Sequence, residues 1–406
     1  MSGFLRHWLT QNRQSVLHAF ILSLLVVGLS ACSSMPDWFS SPGPEVDEEF
    51  SMPSFVEPNP GLPVRLERVW RQSLAGSPDR SMVHPYRFVV AENQIYLGTF
   101  EGNVLRLDAD TTDLRWKAEL GASISCGVAL DEKHLYVGTR EGEMLALDRN
   151  SGALVWRQQF TTSIVSAPAV SRNPGLVIFL TLDNHTRALN SATGEPVWSH
   201  NTLIEPLVAM GGSTPQIDDD RVYVGYSSGE VFGLELESGK ALWNSSLAQL
   251  GGRREVDLLQ DVDADLVMAP RRLFAVNHQG ALTAFFPSNG VSIWQESGSG
   301  VANTPLVHGE VLYLSDLDGY VRAMSVDDGT QLWKTQVSDG VLTSPVMFGE
   351  TLLVADNRER FISLDPASGR VVGLSKLGEP VYASPVVSNN RLYLWTNEGS
   401  LIRYDQ

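Results

Sequence analysis

Leu145-Ala146-Leu147-Asp148-Arg149-Asn150-Ser151-Gly152-Ala153-Leu154-Val155-Trp156 is the stretch on which the fold turns. Two apolar runs flank a polar turn that carries a glycine, and a tryptophan closes the segment. The pattern returns. Leu107-Asp108 leads to Trp116, Leu189-Asn190 leads to Trp198, and further tryptophans stand at Trp70, Trp243, Trp294 and Trp333. A period of about forty to fifty residues marks one supersecondary unit repeated many times.

Each unit reads as short strands joined by turns. Ile95-Tyr96-Leu97, Leu135-Tyr136-Val137, Val222-Tyr223-Val224, Leu312-Tyr313-Leu314 and Leu392-Tyr393-Leu394 are β-branched and aromatic runs that suit strands. Gly102, Gly142, Gly229, Gly280 and Gly319 each precede a tryptophan by 14 residues, where a tight hairpin needs positive φ. A second glycine lies four residues before the tryptophan (Gly152, Gly194, Gly239, Gly290, Gly329), with Thr112 replacing it once. Counting the apolar segment ahead of these (Ala167-Pro168-Ala169-Val170, Ser344-Pro345-Val346) gives four antiparallel strands per unit. About forty residues per four-stranded sheet is the arithmetic of a β-propeller. Solenoid coils are usually shorter, and paired sandwiches lack a strict period.

The blade count follows from register. Arg391-Leu392-Tyr393-Leu394 and Gly399 lead to Leu401-Ile402-Arg403-Tyr404-Asp405, a copy without its last strand. Val69-Trp70-Arg71-Gln72-Ser73-Leu74 is a last strand without its predecessors. Pairing them closes the ring and removes two open edges. Asp365 and Gly369 match the repeat, but Gly373 stands where a tryptophan belongs. The expectation is all-β: an eight-bladed β-propeller of four-stranded antiparallel blades over 64–406, closed by pairing of the N-terminal strand with the C-terminal blade. The seven tryptophans are expected to wedge between blades.

Ahead of the ring, Arg6 and Arg13 precede the apolar run Ala19-Phe20-Ile21-Leu22-Ser23-Leu24-Leu25-Val26-Val27-Gly28-Leu29, the layout of a secretory signal. It is short for a membrane span. Leu29-Ser30-Ala31-Cys32 resembles a bacterial lipobox, which implies removal of 1–31 as a signal peptide and acylation of Cys32. Ser33 follows, where an aspartate would resemble an inner-membrane retention signal, so outer-membrane sorting is favoured. Residues 32–63 read as a tether, with seven prolines and the acids Asp37, Glu45, Asp47, Glu48 and Glu49. At about 3.1 Å per residue such a tether reaches roughly 90–100 Å when fully stretched.

The net charge of −17 argues against nucleic acid as a partner and against general attraction to anionic lipid. Of the two cysteines, Cys32 is assigned to lipid, which leaves Cys126 without a disulfide partner. Gly225-Tyr226-Ser227-Ser228-Gly229 matches the G-x-S-x-G hydrolase pattern, but that motif needs a strand-to-helix elbow, and here it is the repeat's own hairpin. Asp261-Val262-Asp263-Ala264-Asp265 looks like the start of a calcium loop but lacks the glycine at position six and the glutamate at position twelve. The eight histidines form no H-x-x-x-H pair. No catalytic, metal or cofactor site is expected.

The repeat resembles that of quinoprotein dehydrogenases, yet the chain has no Cys-Cys pair to set against a quinone. Lipobox, acidic proline-rich tether and eight such blades together resemble the BamB family of outer-membrane protein assembly factors across essentially the whole chain. The most telling local match is Glu255-Val256-Asp257-Leu258-Leu259-Gln260-Asp261-Val262-Asp263. The resemblance implies a non-catalytic lipoprotein on the periplasmic side of the outer membrane. It implies docking on the POTRA domains of the barrel subunit BamA, and assistance to unfolded outer-membrane protein substrates. Spacing supports a docking face independently. The interval from Trp243 to Trp294 is the longest, at 51 residues, and that from Trp198 to Trp243 is 45. Both extensions, Asn201 to Thr214 and Ser246 to Asp261, emerge on the same face, and loops on a rigid ring often carry function. Carried over by position, the family's partner-contacting residues fall on Leu207, Ala209, Met210, Asp261 and Asp263. Leu207 and the two aspartates keep the family pattern. Ala209 and Met210 depart from it, standing where a larger aliphatic residue and an arginine are expected. A quinoprotein dehydrogenase and a periplasmic polymer- or sugar-binding propeller stand as the alternatives.

Overall fold

The computed structural model describes residues 66–74, 88–202, 212–247, 262, 264–277, 280–296 and 303–405. These residues form eight four-stranded antiparallel sheets and no helix. Blade 1 runs from Val89 to Glu119, blade 2 from Ala129 to Gln159, blade 3 from Ala169 to Asn201 and blade 4 from Gln216 to Ser246. Blade 5 runs from Val267 to Glu296, blade 6 from Leu306 to Gln336 and blade 7 from Val346 to Lys376. Blade 8 takes three strands from Val386 to Asp405 and its fourth, Glu67–Ser73, from the other end of the propeller. Glu67 pairs with Asp405 and Ser73 with Ser400. The protein is an eight-bladed β-propeller.

Burial grades across each blade, and composition follows it. First strands of neighbouring blades approach one another around the axis and are half-buried. The second strand is sandwiched between two neighbouring blades. His134–Gly138 is buried at four of five positions, which is why such strands read as continuous apolar runs rather than alternating ones. The fourth strand lies at the rim and is mostly exposed, as in Leu154–Gln159, where Trp156 is the one buried residue.

The tryptophan is aimed by a device that the repeat pattern alone does not reveal. In all eight blades the third and fourth strands slip register by one residue at this point. Ala146 pairs with Trp156 and Leu147 with Leu154, so Val155 is an extra, outward residue. Such a bulge bends the strand and re-aims its neighbour. Each indole then donates to a carbonyl in the turn between the third and fourth strands of the next blade. Trp116 donates to Arg149 at 3.1 Å, Trp156 to Ser191 at 2.9 Å and Trp198 to Leu236 at 2.9 Å. Trp243 donates to Pro287 at 2.9 Å, Trp294 to Val326 at 3.1 Å and Trp333 to Pro366 at 3.0 Å. Trp70 carries the series across the closure, to Ala109 at 3.3 Å. The ring face lies on the turn's glycine. A Cβ on Gly194 would come within 2.6 Å of the Trp156 ring, and Gly152, Gly239, Gly290, Gly329 and Gly369 meet their indoles as closely.

This geometry accounts for Gly373. The tryptophan of one blade covers the turn between the third and fourth strands of the next. In blade 8 no such turn exists, because its third strand ends at Asp405 and its fourth is Glu67–Ser73. An indole at position 373 would have nothing to cover. The rings of Phe361 and Tyr404 stack across this junction instead, with centroids 6.1 Å apart and planes 1° from parallel.

The seam between blades 8 and 1 is also clasped by charge. Arg403 donates to the Ala109 carbonyl at 3.0 Å and to Asp110 at 2.7 Å, while Arg391 meets Asp110 at 2.9 Å. Arg71 on the N-terminal strand pairs with buried Glu379.

Gly309 has a φ of 62° and nothing within 4 Å of a Cβ, so Gly309→Ala should cost only the left-handed penalty of about 1–2 kcal/mol. Gly194→Ala adds a clash with the indole and should lose a further 1–3 kcal/mol or so in denaturant unfolding; equal losses would contradict the packing of indole on turn. At the seam, the Asn93 amide and then Arg403 hold Asp110 below the usual carboxylate range. A depressed folded pKa contributes stability above the unfolded value of about 3.9 and loses it as pH falls through the folded value. The stability gap between the parent and Asp110→Asn should therefore be constant above about pH 5 and shrink below about pH 4. Urea titrations across that range check it, and a gap that widened in acid would be the wrong sign.

Candidate docking face

In a four-stranded meander, the turn between second and third strands and the connection onward to the next blade lie on one face; the other two turns lie on the opposite face. The two long connections are both of the onward kind. One leaves Pro196–Asn201 and enters Gln216–Asp218, and the other leaves Ala241–Ser246 and enters Val267–Ala269. They flank blade 4 on one face. The seven indoles bind turns of the opposite face and take no part in it. Leu207, Ala209, Met210, Asp261 and Asp263 lie outside the described residues, as does Cys32. The structure describes the frame from which the two connections rise.

That frame is built on blade 4. The first connection starts at Thr202, whose hydroxyl donates to Glu230 at 2.8 Å. Glu230 also accepts from Ser228 at 3.0 Å and Asn244 at 3.3 Å. The connection returns at Ser213, a buried residue whose hydroxyl oxygen accepts the Gly225 N–H at 3.2 Å. The second connection starts at Leu247, buried, with its N–H on the Gly229 carbonyl at 2.8 Å. Near its far end Val262 is 2% exposed, and its N–H donates to the Tyr226 carbonyl at 3.2 Å. The residue between the two candidate aspartates is thus an inward apolar anchor. Both connections press on one backbone position: a Cβ on Gly225 would stand 2.4 Å from Val262 Cγ1 and 3.0 Å from Ser213 Oγ. A direct tie joins them as well. Asp265, buried at the exit of the second, accepts the N–H of Thr214 at the exit of the first at 2.9 Å.

The arrangement holds loops; it does not assemble a reaction centre. The G-x-S-x-G segment is the hairpin between the second and third strands of blade 4, and Ser227 donates to Asn184 Oδ1 at 2.8 Å rather than facing a base. Burial pushes the free Cys126 thiol up to about 12, so it is no nucleophile at neutral pH. Among the described residues no three His, Cys, Asp or Glu side chains gather where they could hold a metal ion.

Reading the chain by period overlooks the residues that build this frame. Gly225, Ser213 and Val262 look like ordinary members of the repeat. Asp265 carries a visible signal, since it stands where other blades have Gly127, Ala167, Thr214, Thr304, Ser344 and Ser384. Gly225→Ala should cost about 1–3 kcal/mol and displace both stems. Hydrogen exchange should show faster exchange at Val262 and Thr214 than in blades 1 and 2, and uniform exchange would contradict the shared footing.

A family model described as outer membrane protein assembly factor BamB matches residues 100–335 and 317–406. The chain is 26% identical over 335 residues to the outer membrane protein assembly factor BamB of Yersinia pestis, spanning 80% of this chain and 81% of that protein. Among solved structures it is similar to BamB from Moraxella catarrhalis, with a TM-score of 0.75 at 22% identity, over 84% of this chain and 100% of the other. It is also similar to quinohemoprotein alcohol dehydrogenase from Comamonas testosteroni, with a TM-score of 0.68 at 14% identity, over 84% and 76% of the two chains. At these identities the structural likenesses speak to fold alone.

Proposed function

The chain belongs to the BamB family of outer membrane protein assembly factors, and from that membership we propose that it is a non-catalytic scaffold of the machinery that assembles β-barrel proteins in the outer membrane. It works by presenting a rigid face to a partner, not by turning over a substrate. The observation that supports docking through the two long connections is the Asp265–Thr214 tie between their exits, added to a footing on Gly225 that Gly138 repeats in blade 2. Two connections whose roots share a footing leave the ring at a set spacing, which lowers the ordering cost of binding.

The partner in this reading is the barrel subunit BamA, met through its POTRA domains. Leu207 supplies an apolar contact, Asp261 and Asp263 the acidic ones, and Ala209 and Met210 lie beside them. Cleavage after residue 31 and acylation of Cys32 anchor the chain to the inner leaflet of the outer membrane. Residues 32–63 serve as the tether and 64–406 as the propeller on the periplasmic side. Several acyl carbons at roughly 0.8 kcal/mol per buried CH₂ give an anchor that persists. Unfolded outer-membrane proteins are the cargo the machinery handles.

Affinity capture of the full-length lipoprotein from membranes in mild detergent, followed by mass spectrometry, tests this. The parent should recover the barrel subunit, and a folded Asp261→Arg/Asp263→Arg variant should lose it. Failure of the parent to recover it would overturn the scaffold reading in favour of a ligand-binding propeller. Undiminished recovery by the variant would move the docking face elsewhere.

A further inference from the structure

The last residue before the hairpin between second and third strands follows one rule in seven blades. It is Thr99, Thr139, Thr181, Asn277, Asp316, Asp356 or Thr396, small and polar. Its side chain serves its own hairpin. The hydroxyl of Thr139 accepts the Glu143 N–H at 3.0 Å, Asn277 accepts that of Ala281 at 2.8 Å, and Asp356 accepts that of Arg360 at 2.8 Å. In blade 4 the position is Tyr226, whose hydroxyl lies at the far end of a ring and leaves the hairpin without this cap.

The tyrosine reaches into blade 3 instead. Its hydroxyl lies 2.6 Å from Thr186 Oγ1 and 3.0 Å from His200 Nδ1, and it is 1% exposed. Thr186 breaks the repeat too. The matching positions elsewhere are Val104, Met144, Val231, Leu282, Val321, Phe361 and Leu401, all apolar. Two departures on neighbouring blades thus meet in one buried hydrogen bond. A buried hydroxyl costs stability unless it is partnered, so each makes sense only with the other. His200 completes the group, with its ring 4.9 Å from Phe232, and Phe232 stands edge-on to Tyr226 at 5.5 Å. Burial holds the His200 imidazole below its ordinary range, with Glu230 acting in the opposite direction and His185 in the same one.

The location gives this group its meaning. His200 lies on the strand that runs into the first long connection, two residues before Thr202. The Tyr226 carbonyl accepts the Val262 N–H of the second connection. The side chain of Tyr226 therefore grips the root of the first connection, while its carbonyl makes to the second the bond that Thr139 and Asp356 make to Ile164 and Val381 in their blades. The repeat is broken at the one blade that both long connections flank. Local rules that hold throughout a fold are commonly broken at functional sites.

We propose that Tyr226, supported by Thr186 and His200, is a positioning residue that fixes the roots of the two long connections, at His200–Thr202 and at Val262, relative to one another and so sets where a protein partner docks on this face. This rests on the scaffold reading above and adds the element that sets the geometry of the face. Tyr226 touches no partner; it acts through the loops it holds.

The test uses the full-length lipoprotein in detergent, titrated with purified POTRA domains of the barrel subunit. Three variants are compared: Tyr226→Phe, Thr186→Val and the double. Tyr226→Phe keeps the ring and removes the hydroxyl. POTRA binding should weaken roughly two- to thirtyfold, the range for residues that modulate binding without contact. The amides of Thr202 and Val262, at the roots of the two connections, should exchange faster, while those of blades 1, 2 and 6 keep their rates. The double variant separates positioning from mere burial. It removes both hydroxyls and leaves only the half-buried His200 Nδ1 to find another partner, so thermal stability should recover part of the way toward the parent while binding stays weak. Binding that recovers with stability, or that never weakens in Tyr226→Phe although the parent binds, overturns the proposal. If the parent itself fails to bind POTRA domains, the scaffold reading falls, and the exchange measurement still decides whether Tyr226 ties the two connections.

Discussion

The propeller depends on one contact made seven times: an indole laid on the turn of the next blade, with its N–H on that turn's carbonyl. A four-stranded blade cannot bury its own second strand. It needs a neighbour on each face, and the neighbour must stand at a fixed angle. The indole sets that angle by combining a large apolar face with a donor of defined direction. The glycine beneath it does two jobs, accepting positive φ and leaving room for the ring. Where Thr112 replaces the glycine, its φ is still 64°, and the indole bond of that pair is the longest of the seven.

Closure follows from the same logic. The ring ends in a blade built from both ends of the propeller, so one turn is missing, and with it the need for one tryptophan. Charge takes a larger part at the seam, where Arg403, Arg391 and Asp110 join blade 8 to blade 1. Partly exposed pairs of this kind contribute little individually. Their place suggests that they fix register at closure, while the apolar core supplies most of the stability.

Much of this is legible in the sequence. The recurrence of tryptophan and glycine yields fold, blade count and mode of closure, because each reflects a steric demand met by few residue types. The bulge is not legible: Val155 looks like one more strand residue, and only pairing shows that it is extra. Nor is the frame of the docking face. Gly225 meets Ser213 and Val262, 12 and 37 residues away; Gly138 makes the same contact with Cys126 and Ile164, but the longer second connection hides the correspondence in the sequence. Gly225 and Tyr226 read in sequence as part of a hydrolase-like pattern that folds as a hairpin. Their value emerges once blade 4 is seen between two long connections. The alternating Asp261-Val262-Asp263 segment lies between these cases. Its acidity is plain in the sequence, but the burial of Val262 comes from the fold.

A stiff ring carries a face whose two long connections share one footing at their roots. The central claim is that this face, and not the opposite one, meets the barrel subunit. Site-specific photocrosslinking in cells tests that most directly, with the crosslinker at Leu207 or Asp263 on one face and at Ser238 or Asn289 on the other. The account predicts adducts with the barrel subunit from Leu207 and Asp263 and none from Ser238 or Asn289. Adducts from the second pair alone would contradict it.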